Sequence, residues 1–177
     1  MKSIEDGFQV VADQIVGGLR SLEQNQQSVI SKFYALWRLR ADHKEKPLSD
    51  ITALGVLQEQ LTLDQQEILE KNGYCFIGPN RILPGRMRAS IVIQLGIRHF
   101  VQQLHRKRWG IALAKEGEFL VPDQFGTVAI VPVTPTLCLI AGCGNVMLSK
   151  AEVHELNRTA RLTAREYVFA RDFKSCP

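Results

Sequence analysis

The hydrophobic positions lay the chain out as helices first and strands later. Ile4, Phe8, Val11, Ile15, Leu19 and Leu22 recur every three or four residues, the period of one buried helical stripe. Gly17-Gly18 weakens that helix and marks a place to bend. SVISKFYALWRLR, residues 28 to 40, fits a second helix with Ile30, Phe33, Tyr34 and Trp37 inward and Lys32, Arg38 and Arg40 outward. The polar HKEKPLSD then reads as a loop, and ITALGVLQEQ as a further helix. Thr62 and Gln65 form a capping-box pattern that opens LDQQEILEK, and Gly73 stands where a helix C-terminus favours glycine.

YCFIG reads as a short strand and GPNRILPG as a turn-rich connection. From Met87 to Arg108 the pattern predicts a long amphipathic helix. Ala89, Val92, Ile93, Gly96, Ile97, Phe100, Val101 and Leu104 make its apolar face, and Gln94, Arg98, Gln102 and His105 lie opposite. Past Trp109 the period falls to two. WGIALAKE, GEFLVPD, TVAIVPV and TLCLIAG read as four short strands, with Pro132 and Pro135 placing their strand at a sheet edge or breaking it. Ser149 and Glu152 form a second capping box, and a closing helix is predicted from Lys150 to Phe173. The expected fold is α+β: N-terminal helices, a long basic amphipathic helix, a small antiparallel sheet and a closing C-terminal helix. One domain spans residues 1 to 177, helical over 1–72, basic helix plus sheet over 73–148, and helical again over 149–173.

Composition keeps this picture and narrows the setting. With 177 residues, 45% apolar and 23% charged, the chain has the profile of an ordinary globular domain. No apolar run approaches the ~20 residues of a membrane helix, and acids at Glu5, Asp6 and Asp13 argue against a signal peptide. Cys75, Cys138, Cys143 and Cys176 are too few and too irregular for a disulfide scaffold, so free thiols in a reducing cytoplasm are expected.

Charge changes the picture more. The net +4 is unevenly spread: residues 71 to 115 hold nine bases and no acid, whereas residues 1 to 70 hold seven bases and eleven acids. The acid-free block contains RHFVQQLHRKRWG, residues 98 to 110. A positive field of this kind attracts phosphates or an acidic protein surface. Arg81, Arg86, Arg88, Arg98, His105, Arg106, Lys107, Arg108 and Trp109 are the candidate partner-binding residues, with Trp109 or His105 available to stack on bases. A basic C-terminus that complements the helix dipole accounts for Arg106-Lys107-Arg108 but not for 45 residues without an acid. His154, Arg158, Arg161 and Arg165 form a second basic row, whose interleaved Glu152, Glu155 and Glu166 point to ion pairs within the helix.

Other motifs stay incomplete. HELNR has Arg158 where a zinc-protease helix needs its second histidine. GCGNVMLSK lacks the order of a phosphate-binding loop. Cys138, Cys143 and His154 match no zinc spacing and want a fourth ligand. No cofactor motif is present. The rival to a binding protein is a hydrolase or nuclease built around Asp123, with His99, His105 and Glu118, which requires those groups to meet in one cleft.

The C-terminal half carries a likeness. KRWGIALAKEGEFLVPDQFG, then VAIVPVTPTLCLIAG, then AEVHELNRTARLTAREYVFARD resembles the bacterial family called domain of unknown function 4238. The matching features are Trp109, Phe119, Asp123, Pro132-Val-Thr-Pro135, Asn157, Ala164 and Tyr167-Val168, and SVISKFYALWRLR resembles a segment ahead of the family's middle region. The family's N-terminal His-His-x-Val-Pro-type motif is absent, and VPDQ stands for its Ser-Asp-Asn-Pro-like turn, keeping only Asp123, as in a shortened or divergent member. The resemblance implies a fold and a bacterial or phage setting rather than a reaction. A small basic protein in that setting suits a component or inhibitor of a host-defence system.

Overall fold

The structure is a computed structural model that describes residues 2–52, 61–72, 74, 82–104, 106–124 and 128–177. The first helix, α1 (Lys2–Val16), buries Phe8, Val11, Ala12 and Ile15. It stops rather than bends at the glycine pair: Gly17 N–H bonds to the Asp13 carbonyl, and Gly18 takes φ +109°, a left-handed conformation natural to glycine. Leu19 and Leu22 therefore follow the helix instead of belonging to it. α2 (Gln24–Glu45) is longer than the apolar period indicated. Glu23 and Gln26 cap its start reciprocally, and His43 and Lys44, expected in a loop, lie in its last turn.

Beyond α2, Ile51–Thr52 (β1) pairs antiparallel with Ile82–Leu83 (β2). The helix expected from Ile51 thus begins as a strand, and Ile82–Leu83 is a strand within the expected connection; positions 53–60 and most of YCFIG lie outside the described residues. α3 (Leu63–Lys71) opens with the expected box. Thr62 N–H donates to Gln65 Oε1 at 2.9 Å, and Gln65 N–H to Thr62 Oγ at 3.3 Å. Gly73 lies outside the described residues.

α4 (Gly85–Leu104) starts where Asp50 Oδ1 accepts the Gly85 N–H at 2.8 Å. Ile93 and Leu104 are buried and Ile97 and Phe100 half-buried, but Val92 is exposed. The helix ends at Leu104, not Arg108, because Lys107 N–H turns back to the Leu104 carbonyl and the next residues enter the sheet.

That sheet is the middle layer. β3 (Trp109–Ala114), β5 (Ile130–Thr134), β6 (Leu137–Ala141) and β7 (Val146–Leu148) stand in the order β5-β6-β3-β7. The pairs β5·β6 and β6·β3 are antiparallel, as expected, while β7 runs parallel to β3 and makes the sheet mixed. Pro132 sits on the edge strand β5, where a missing N–H costs little. β4 (Val121–Pro122) leaves this sheet and pairs instead with β8 (Val168–Phe169).

α5 (Lys150–Thr163) begins in the Ser149–Glu152 box. It ends at Ala164, whose ψ of 142° is extended, so the expected six-turn helix is shorter and gives way to β8 and a 3-10 turn at Phe173–Ser175.

Side chains alternate across the sheet and fill a core on each face. Trp109, Ile111, Val131, Leu137 and Leu139 face α1 and α2. Ala112, Ile130, Cys138, Ile140 and Leu148 face Val153 and Ala160 of α5. Leu36 and Leu39 of α2 meet Ile93 of α4 in a third cluster. Helices over both faces of a small mixed sheet make this an α+β fold. Among the described residues no helix is long and apolar enough to cross a membrane.

Candidate anion-binding cleft

The end of the sheet is held open by a clamp on Trp109. Its N–H donates to Gln27 Oε1 at 2.6 Å, and Gln27 Nε2 donates back to its carbonyl at 2.9 Å. The indole Nε1–H reaches Ser31 Oγ at 2.9 Å, and Tyr34 packs edge-on against the ring. Trp109 is only 3% exposed. It is a core residue, and the expectation that it stacks on a partner is corrected: a ring whose N–H is satisfied inside and whose faces are packed has nothing to offer outside.

Around that anchor, turns converge from three directions. The α1–α2 connection supplies Arg20, the α4–β3 turn supplies Arg106, Lys107 and Arg108, and the β6–β7 turn supplies Gly142 to Asn145. Together they enclose a cleft of about 680 Å³. Its floor is fixed by main-chain and amide bonds. Gly142 N–H bonds to the Arg108 carbonyl, and Asn145 accepts from Ile111 N–H while donating to the Arg20 carbonyl. Gly110 is required there: a Cβ would stand 2.3 Å from the Gly144 carbonyl oxygen and 2.5 Å from that of Cys143.

Among the described residues no carboxylate lines the cleft. Arg20 donates to the Ile15 and Leu19 carbonyls, both at 2.9 Å, and so closes the end of α1. Arg106, Lys107 and Arg108 are exposed and take part in none of the ion pairs among the described residues. Three adjacent cations facing one concavity repel each other and favour an anion between them.

The other expected partner-binding residues are spread along α4. Arg98 is exposed about 9 Å before the helix end, and Arg86 sits at its start, roughly 27 Å from Leu104 at 1.5 Å per residue. Arg88 is engaged, donating to the Ser49 carbonyl at 2.6 Å. The single face expected over 81–109 is thus a cleft with a trailing row of charges. Arg81 and His105 lie outside the described residues. Arg20, Gln27 and Asn145 were not visible as cleft residues in the sequence, although a glutamine three residues before Ile30, on the buried stripe of α2, was a signal of a satisfied buried amide.

Of the residues of the enzymatic alternative, Asp123, Glu118 and His99 are engaged apart from one another. Asp123 accepts the backbone N–H groups of Arg165 (2.9 Å) and Glu166 (3.0 Å). Glu118, 5% exposed, pairs through Oε1 with Arg171. His99 is exposed on α4 beside Gln103, 2.9 Å away. The small cleft that holds Asp123 is lined by neither His99 nor Glu118. In the second basic row, Arg158 pairs with Glu155 at 3.0 Å, as the interleaved acids indicated, while Arg165 falls beyond the helix. Burial raises the Cys138 thiol to about 12, whereas Cys143 is exposed at the cleft. Among the described residues no three of His, Cys, Asp and Glu gather as metal ligands.

No family model, curated protein or solved structure matches the chain.

Proposed function

We propose that the protein binds nucleic acid through its phosphodiester backbone, using the cleft of Arg106, Lys107 and Arg108 with Arg98 as an outlying contact. The observation that carries this reading is the set of three neighbouring cations that join no ion pair among the described residues, held over a hydrogen-bonded floor. Phosphates entering such a site displace counterions, which supplies affinity without base-specific contacts. Free thiols at Cys138, Cys143 and Cys176 fit a reducing compartment, and the same proposal places the binding in the cytoplasm.

The test is fluorescence anisotropy of a labelled 20-nucleotide strand titrated with protein over a range of KCl concentrations. Affinity is expected to fall steeply with salt. Arg106→Ala, Lys107→Ala and Arg108→Ala combined should flatten the log–log slope by up to about three units, one per lost contact. The thermal transition should stay in place, since all three side chains are exposed. Absence of binding at low salt, or a triple variant that binds like the wild type, overturns the proposal; recovery of an acidic protein by the wild type alone then assigns the cleft to that partner.

A further inference from the structure

The cleft beside Trp109 is closed at its inner end. Leu22, Gln27 and Trp109 form that end, and all three are buried. Residues 20–22, 106–109 and 142–145 wall it on three sides. A polymer crossing a site of this shape would need an exit past Trp109, where Leu22, Ile30 and Tyr34 fill the space as core. A chain can enter such a site by an end.

The lining offers donors rather than acceptors. Its two side-chain amides, Gln27 and Asn145, have their oxygens taken by the N–H groups of Trp109 and Ile111. The Ser21 hydroxyl and the backbone N–H groups of Cys143 and Gly144 take no partner among the described residues. Lys107 lies across the turn, its Cδ 3.8 Å from where a Gly142 Cβ would stand. At Gly144 a Cβ would meet no atom within 4 Å, so the backbone there is open to an incoming group. Arg20 adds charge to the wall, with its Nη1 spent on the Ile15 and Leu19 carbonyls.

A donor set of this kind discriminates among phosphates. A diester within a strand carries one negative charge. A terminal phosphomonoester has a further free oxygen and close to two charges at neutral pH, since its second pKa is about 6. We propose that the cleft seats the phosphorylated end of a nucleic acid strand, with the adjoining diesters running out along α4. This rests on the reading of the cleft as a nucleic-acid site given above. α4 offers the path: Gln102, Arg98 and Gln94 are exposed at four-residue steps, neighbours on the helix surface that lead away from the cleft.

The experiment measures binding of the full chain to labelled oligo(dT) carrying a 5′-phosphate, a 3′-phosphate or hydroxyls at both ends, and to a circular strand. A phosphorylated end should bind about tenfold tighter than the hydroxyl-ended strand, the scale of one charge-assisted hydrogen bond. The circle should bind no better than the hydroxyl-ended strand. Stoichiometry should stay at one chain per phosphorylated strand as its length rises from about 20 to about 40 nucleotides, where a backbone site covering ~4–16 nucleotides would load further copies. The phosphorylated strand should also slow alkylation of Cys143, exposed on the cleft wall, more than the hydroxyl-ended strand does at equal concentration.

Arg106→Ala, Lys107→Ala and Arg108→Ala combined should erase the preference for a phosphorylated end. Ser21→Ala, which leaves the three cations in place, should narrow it and keeps the test open if the triple variant unfolds. Equal binding to all four strands, with more copies on the longer ones, rejects the end seat and leaves the backbone reading standing. A preference that survives in the triple variant also rejects it. Thymidine monophosphate bound as tightly as the phosphorylated strand gives the cleft to a small phosphorylated ligand instead. Binding to no strand at all removes both proposals.

Discussion

Trp109 shows how a residue's role is decided by what surrounds it. In sequence it follows three cations and invites comparison with a stacking ring. In the fold its main-chain N–H and carbonyl are both taken by Gln27, and its indole N–H by Ser31. Ser31→Ala leaves that buried N–H without an acceptor, which should cost about 1–3 kcal/mol in urea denaturation; a smaller loss would mean that water reaches the indole. The cysteines divide in the same way. Burial pushes Cys138 up to about 12, so almost none of it is thiolate at pH 8, while the Cys143 side is open to solvent. Brief treatment of the native protein with iodoacetamide, followed by peptide mass spectrometry, should find Cys143 alkylated and Cys138 untouched until denaturant is added.

At the level of elements, what could be read was what is local. The Thr62–Gln65 and Ser149–Glu152 boxes depend on residues three apart, and both form. Glu152 supplies a pH test. Ser149 N–H donates to its carboxylate at 2.7 Å and, as the largest cause, holds it below the ordinary carboxylate range. A carboxylate depressed in the folded state stabilises above its unfolded value, about 4.3, and loses that contribution as pH falls through the folded value. The urea midpoint of wild type should therefore exceed that of Glu152→Gln at pH 7, and the gap should close on acidification below about pH 4. A gap that persists at pH 2 would exclude the ionised cap as its source.

Element ends were harder to read where a distant group made them. α5 shows a helical pattern past Thr163, with no glycine or proline to stop it. It stops because Asp123, some forty residues earlier, takes the N–H groups of Arg165 and Glu166 and turns the chain toward β4. α4 ends early for a related reason: Trp109 must reach Gln27 and pair with Ala141. β7 has only three residues, too short for a period to register, and its parallel pairing to β3 is invisible locally.

For the molecule as a whole, the α+β class was legible because helical and strand periods occupy different stretches of chain. The candidate cleft was half legible. The run Arg106-Lys107-Arg108 announces itself, but its floor comes from residues around 20, 27 and 142–145, which no pattern links. The Gln27–Trp109 clamp joins positions 82 apart, and that separation bears on how the chain reaches its folded state. Closing a loop of that size costs entropy before any contact is returned, so the clamp should form after the local helices and the β5·β6 hairpin. Gln27→Ala should then leave the refolding rate nearly unchanged and accelerate unfolding by almost the full loss in stability, a φ-value near zero in a chevron plot. A φ-value near one would place the clamp in the folding nucleus. On the expected order, the cleft opens and closes with the slow unfolding step, and any polyanion bound across it should lengthen the lifetime of the native state.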